Sequence, residues 1–507
     1  MAEIKHTDEQ VGIIGSRAQH LVVTAYAGTG KTSTMEAFTR AQPPADNDRR
    51  VWLYLAFNKS IAEEAKGRFP EWVECRTTHS LAYGAVIPRL FNEIPRDRVN
   101  EKLGDMRPMQ IAQKLEVNPR MAGFVKAALE SWFGSADQKI LPSHIPADLK
   151  VPPAQVPAVL NYARELFAAM CDPKDREATL PHDGYLKIWS LQGPDLSRRY
   201  LGIVIDEAQD TNPATLSVLL KQKTRLVMVG DANQAIYQFR GAINAMDSLP
   251  EAERHYLTNS FRFGNGIART ATSILSPFRD MPKPISGLAP VKTEFQVDKT
   301  RTFAVIARTN AALFAEAVKN IQGQKPFHFV GGTKGYKFDL MMDCYYLLAN
   351  QKGAIKSPTV RQFNSMEELK VAGEEAKDPE LKFLGKIADE YGERIPELIR
   401  EIEERHVPLS APNKLKDGIV FTTAHKAKGL EFDQVVLTDD YAELVTEDKE
   451  SFLAADEAPE DAEINLLYVA ATRAKRALQV NESIRDVFRV TDALRNRQQA
   501  RVAPMRN

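Results

Sequence analysis

The sequence predicts an α/β protein of several domains built on parallel sheets. Three observations carry that expectation. Apolar, β-rich runs recur as HLVVT (residues 20–24), VWLYLAF (51–57), YLGIVI (200–205) and RLVMVG (225–230), and each stops at a polar or glycine-rich cluster. Segments with helical spacing follow several of these runs, as in TSTMEAFTRA and NKSIAEEAKGRF, which is the alternation that parallel sheets require. At 507 residues the chain has length for about three or four cores of ordinary size.

The first run delivers AYAGTGKT, residues 25–32. Gly28 and Gly30 lack Cβ atoms, so backbone N–H groups between them can wrap phosphates while the following helix offers its N-terminus to the anion. Ala27 and Thr29 complete that cradle, Lys31 adds a point charge for the outer phosphates, and Thr32 supplies a hydroxyl for the accompanying Mg2+. Ala25 stands where the general pattern has glycine. Taken alone, the motif also reads as a glycine-rich turn between strand and helix.

Composition excludes several classes. Apolar content of 43% and charged content of 26% are those of a globular protein, and no run approaches the ~18 apolar residues of a membrane span. MAEIKHTDEQ lacks the apolar centre of a signal peptide, so a cytoplasmic address is expected. Cys75, Cys171 and Cys344 are far apart and form no CxxC pair, which argues for buried reduced thiols over disulfides, zinc or iron–sulfur. Lys plus Arg equals Asp plus Glu at 67 each, so net charge gives no support for a nucleic-acid partner.

In chain order, Gln10 precedes the phosphate loop, where its amide reads either as an adenine-edge donor and acceptor or as a surface helix residue. The next two strands stop at Phe57 and Asn58 and at Thr77, Thr78, His79 and Ser80; such ends read as ligand contacts or as helix caps. From 85 to 198 the spacing turns helical (MQIAQKLEV, FVKAALESWF, VLNYARELFAAM), and LPSHIPADLKVPPAQVP, with five prolines in seventeen residues, reads as a loop or extended connector. YLGIVIDEAQD sets Asp206 and Glu207 side by side at a strand end, where ATP hydrolysis needs one carboxylate on the metal side and one as a base for water. RLVMVGDANQAIYQFRGA places Gln234, Tyr237, Phe239 and Arg240 together, an amide for a terminal phosphate interleaved with aromatic faces for bases.

The second half opens at LTNSFR and passes through a proline-rich loop, residues 276–290, to the strand TFAVIARTN. Residues 351–412 are charged and helical in spacing, and residues 443–463 carry nine acidic residues and one lysine, which reads as a solvated connector. The end is arginine-rich, with six arginines from Arg485 to Arg506, and reads as a phosphate contact or a disordered tail.

The ordered set AYAGTGKT, DEAQD, GDANQAIYQFRGA, TTAHKAKGLEF and YVAATRAK resembles the superfamily 1A DNA helicases of the UvrD/Rep/PcrA type over most of the chain. AFNKSIAEEA, TTHSLAY and FNSMEELK are similar to the F-box DNA helicases and their phage or bacterial relatives. No F-box precedes the helicase motifs, so a ubiquitin-ligase role is not expected. The resemblance implies two RecA-like P-loop motor domains: 1–84 with 199–257, and 258–350 with 413–490. It also implies a helical insertion at 85–198, a reduced accessory domain at 351–412 and a basic tail at 491–507. It implies ATP and Mg2+ as cofactors, single-stranded DNA and single-strand/duplex junctions as partners, and a nucleoid-associated place in a bacterial or phage-infected cell. A recombinase, polymerase or single-strand-binding protein is a possible further partner.

Residue by residue, the resemblance implies that Gln10 selects adenine, Lys31 and Thr32 hold phosphate and magnesium, Asp206 and Glu207 serve metal and water, and Gln234 senses the γ-phosphate. Phe261 would stack on adenine, Arg262 and Arg473 would reach the γ-phosphate, and Glu431 would hold the ribose; Arg473 is expected at the start of a helix. Phe57, Asn58, Thr78, His79, Tyr237, Phe239, Arg240 and His425 would face DNA, Phe239 standing where the family has a tryptophan. The expected activity is ATP-dependent 3′–5′ translocation and unwinding. Rival readings are a translocase that strips proteins such as recombinase filaments and unwinds poorly, and a nucleotide-gated binding module. A helicase–nuclease fusion is not expected, because few residues follow YVAATRAK.

Overall fold

The computed structural model describes residues 5–238, 241–323, 325–375, 379–409 and 415–502. Its chain divides into two compact units, one running to Ala25 and over Gly30–Leu257, the other comprising Tyr26–Thr29 and everything from Thr258 onward.

The first unit holds a six-stranded parallel sheet made of β1 (His20–Ala25), β2 (Val51–Leu55), β3 (Val73–Arg76), β4 (Tyr200–Ile205), β5 (Arg225–Gly230) and β6 (Glu253–Leu257), in the order β3-β2-β4-β5-β1-β6. Side chains alternate across a strand, so residue parity decides which core each enters. Val22, Leu53, Leu55, Ile203, Ile205, Leu226 and Met228 fill one face; Leu21, Val23, Trp52, Tyr54, Val204, Val227 and Val229 fill the other. Both faces are therefore covered, which explains why these strands read as continuous apolar runs.

The helical insertion grows out of the first of these cores. Its helices Pro108–Leu115, Pro119–Gly134, Val156–Cys171 and His182–Gln192 pack Phe124, Leu129, Trp132, Leu166 and Trp189 into the cluster that holds Leu53 and Ile203. Each such side chain contributes about 1.5–3 kcal/mol on burial, so insertion and sheet share one core. Local signals fix the ends: Asn118 accepts from the Met121 N–H at 2.9 Å with Pro119 behind it, and Gly193 closes the last helix in a left-handed conformation. The proline-rich connector contains three single-turn 3-10 helices, Pro142–His144, Ala147–Leu149 and Pro153–Gln155. Cys75 and Cys344 are buried free thiols, whereas Cys171 is only half-buried at a helix end.

The second unit has a short ladder of β7 (Asn259–Ser260) and β8 (Ser286–Gly287). Its main sheet comprises β9 (Phe303–Ala307), β10 (Phe327–Phe329), β11 (Ile419–Thr423), β12 (Phe432–Leu437) and β13 (Ala474–Gln479), in the order β10-β11-β9-β12-β13. All neighbours are parallel, and β9 lies between β11 and β12, which rules out a hairpin across TTAHKAKGLEF. The charged stretch after Leu348 folds as helices Pro358–Arg361, Met366–Glu375, Pro379–Tyr391 and Ile395–Arg405. The first three share a small core around Leu347, Phe363, Leu369 and Leu384.

Two expectations change here. Residues 443–463 are not a solvated connector throughout: Leu444 and Val445 are buried, and Glu463 receives both Arg308 Nε at 2.8 Å and Nη2 at 2.7 Å. Paired carboxylates and an apolar anchor offset the like-charge repulsion that composition alone suggests. The arginine-rich end is helical over Glu482–Val502, and that helix runs through the boundary expected at 490. No helix among the described residues is long and apolar enough to cross a membrane.

Candidate active site

The phosphate loop follows from β1. Gly28 and Gly30 have φ of 74° and 79°, the left-handed region that other residues resist, and helix Lys31–Arg40 starts immediately after. Thr34 Oγ1 donates to the Gly30 carbonyl at 2.9 Å and accepts Gln10 Nε2 at 3.1 Å. The Gln10 oxygen accepts the Thr7 N–H at 3.0 Å in a capping box, so Gln10 is a buried residue tied to the loop helix and not a surface one.

The acid pair stands at the end of β4. Lys31 Nζ lies 3.1 Å from Glu207 Oε1. Burial on its own would lower the lysine's pKa, but Glu207, Asp206 and Asp231 together hold it above its ordinary value. Burial, and then the neighbouring Glu207, push Asp206 up to about 6. The Glu207 backbone is left-handed at φ 50°, a strained conformation for a non-glycine residue that turns its carboxylate toward Lys31.

A buried, desolvated carboxylate beside a phosphate cradle calls for a cation. One or two carboxylates, a hydroxyl and substrate phosphates are the donor set Mg2+ uses, so Asp206 and Thr32 fit the metal that the resemblance implies. Among the described residues no cluster of three or more His, Cys, Asp or Glu forms an all-protein metal cage.

Two residues unnoticed in the sequence complete this end of the sheet. Gln209 is fully buried, donates to Glu207 Oε2 at 2.5 Å, and accepts the Asp231 N–H at 3.0 Å through its oxygen. A Cβ at Gly230 would collide with that oxygen, so glycine is needed there. Asp231 in turn accepts Gln234 Nε2 at 2.7 Å, and Gln209 thus links the acid pair to the loop that carries Gln234. Tyr54, on β2, donates to Asp206 Oδ2. A tyrosine inside the otherwise apolar VWLYL was the available signal, because a buried phenol needs a partner.

On the same unit, a pocket of about 110 Å³ is lined by Asp206 and Glu207 and also by Phe57, Thr78 and His79. Phe57 is 45% exposed and its ring faces Tyr237, centroids 6.0 Å apart and planes 13° from parallel. Asn58 and Thr77 cap helices, accepting the Ile61 and Ser80 N–H groups at 2.9 and 3.1 Å. His79 Nε2 lies 2.9 Å from Asp183 Oδ1. Phe239 and Arg240 lie outside the described residues.

The second unit gathers a cationic set. Arg262 Nε is 2.8 Å from Glu431 Oε1 and its Nη1 donates to the Thr472 carbonyl at 3.0 Å; Lys475 Nζ sits 3.0 Å from the other Glu431 oxygen. Burial would raise the Glu431 pKa, but Arg262 and Lys475 hold it below its ordinary value. Arg473 is not at a helix start: helix Asp461–Ala471 ends before it and β13 begins after it. It is 1% exposed, and its guanidinium donates to the Val469 carbonyl at 3.0 Å, which satisfies an acceptor at the helix C-terminus. Phe261 is 46% exposed and so is not core. His425 sits in the short helix Ala424–Ala427, whose neighbour Lys426 donates to the Gly335 carbonyl at 2.7 Å over the Tyr336 ring.

The comparisons with known proteins agree with this architecture. Residues 192–251 match the UvrD/REP helicase N-terminal domain and residues 288–483 the UvrD-like helicase C-terminal domain. The chain belongs to the UvrD-like helicases. It is 32% identical to F-box DNA helicase 1 of Gallus gallus over 517 residues, covering 96% of this chain and 50% of that protein. It is 29% identical to F-box DNA helicase protein 1 of Schizosaccharomyces pombe over 504 residues, covering 92% and 56%. The PcrA helicase of Leuconostoc citreum is 28% identical over 188 residues, 30% of this chain and 25% of that one. The chain thus spans about half the length of the F-box relatives.

Proposed function

We propose that this UvrD-like chain is an ATP-dependent DNA motor that moves 3′ to 5′ on single-stranded DNA and separates duplexes. What carries the reading is that the Asp206–Glu207 pair and the exposed Phe57 surface border one pocket, so a change at the phosphates and a change at a DNA base have few residues between them. Lys31 and the loop amides bind phosphate, and Glu207 accepts the proton of the attacking water. Thr32 and Asp206 would hold Mg2+, which would supply charge neutralisation at the phosphates. Arg262 and Arg473 stabilise the charge that develops on the transferring group.

The test is steady-state ATPase with and without single-stranded DNA, then unwinding of 3′- and 5′-tailed duplexes. Stimulation by DNA and selective opening of 3′-tailed duplexes are expected. Preference for 5′ tails overturns the polarity, and an ATPase indifferent to DNA overturns the motor.

The small helical core after Leu348 favours a second reading, a translocase whose main output is protein displacement. Displacement of a recombinase filament at a rate far above strand separation would select it.

A further inference from the structure

Strand β2 is apolar except for the phenol of Tyr54, and that side chain is fully buried. Its ring packs on Phe69 with centroids 4.5 Å apart. Parallel pairing sets Tyr54 beside Val204 and Leu55 beside Ile205, and the Leu55 carbonyl accepts the Asp206 N–H at 3.0 Å. Asp206 therefore leaves β4 two residues beyond Val204, on the face where Tyr54 points. There the phenol donates to Asp206 Oδ2. The other carboxylate oxygen, Oδ1, accepts the Glu207 N–H at 2.9 Å.

We propose that Tyr54 is a positioning residue for Mg2+: its hydroxyl fixes the Asp206 carboxylate in the orientation in which it would hold the ion. The inference rests on the reading of this site as one for ATP. Thr32 comes from the loop helix and Asp206 from the end of β4, and neither is covalently near the other. A ring fixed in the sheet core gives the Asp206 carboxylate a rigid reference. A phenol that merely satisfied its own burial would leave metal affinity unchanged when removed.

The experiment uses the full chain with ADP and Mn2+ as a spectroscopic stand-in for Mg2+. Tyr54→Phe keeps the ring on Phe69 and removes one oxygen; Tyr54→Leu gives a second apolar background. ADP affinity in EDTA, which reports the folded loop, should stay at the wild-type level in both. Mn2+ affinity of the ADP complex, read by electron paramagnetic resonance, should fall about 10-fold. The Mg2+ concentration for half-maximal ATPase should rise by a similar factor, with kcat recovered at saturation. Wild-type Mn2+ affinity in both variants overturns the positioning role. If the unaltered protein fails to bind Mn2+ with ADP, the ATP reading itself falls.

Discussion

The two units hold their reactive groups in different ways. In the first, Asp206, Glu207 and Gln234 stand at strand ends of one sheet, and their partners are side chains: Lys31, Tyr54, Gln209 and Asp231. In the second, arginines share a carboxylate and main-chain carbonyls, Arg262 with Glu431 and Thr472, Arg473 with Val469. Anionic groups are thus placed by a rigid frame whose members constrain one another. The cationic groups rest on acceptors that also stabilise a helix end, so their loss reaches stability as well as chemistry.

The largest effect expected falls on chemistry in either unit. Arg262→Ala should lower kcat about 1,000-fold. Glu207→Gln should lower it about 100-fold or more while ADP affinity stays within about twofold of wild type. Wild-type turnover in either variant would break the division of roles, and stopped-flow phosphate release reads both.

Arg473→Ala should separate from Arg262→Ala in a thermal melt. Removing the buried, charged Arg473 donor from the Val469 carbonyl, which keeps the Thr472 hydroxyl at 3.1 Å, costs about 1–3 kcal/mol, whereas the partly exposed Arg262 pair contributes about 1 kcal/mol or less. Equal melting points for the two variants would remove the contrast. Gln209→Ala should cost a similar ~1–3 kcal/mol in the first unit by leaving the Asp231 N–H unpaired. Unchanged stability there would mean that Glu207 and Asp231 are held by something else.

A pH-dependent effect is expected in the helical insertion. Lys187 lies over the Trp132 ring, donates to the Ser135 and Asp137 carbonyls at 2.8 and 2.6 Å, and burial pushes its pKa from 10.5 down to about 8. Because the folded value lies below the unfolded one, the unfolded chain binds more protons between those limits. Wild type should therefore gain stability relative to Lys187→Met as pH rises from about 8 to about 10.5. Urea unfolding at both ends of that window checks the sign.

Much of the site was legible because it is local. AYAGTGKT and YLGIVIDEAQD each carry strand, turn and reactive group within a dozen residues, so covalent order alone puts Lys31 and Asp206 at strand ends. The Phe57 and Asn58 cluster was legible as a strand end, although Asn58 turned out to cap a helix. Arg473 was not, because one arginine after YVAAT does not say whether a helix begins or ends there.

By itself, then, the sequence determined the alternation of strands and helices, the phosphate loop and the acid pair, since periodicity and motif spacing act over a few residues. Tertiary structure alone decided which side chains meet. Strand order set β2 beside β4, and register put Tyr54 against Asp206 across 152 positions. Packing of the second sheet brought Arg262 to Glu431 across 169. Such pairs depend on crossovers and on which face each residue parity selects, and no local window of sequence contains that information.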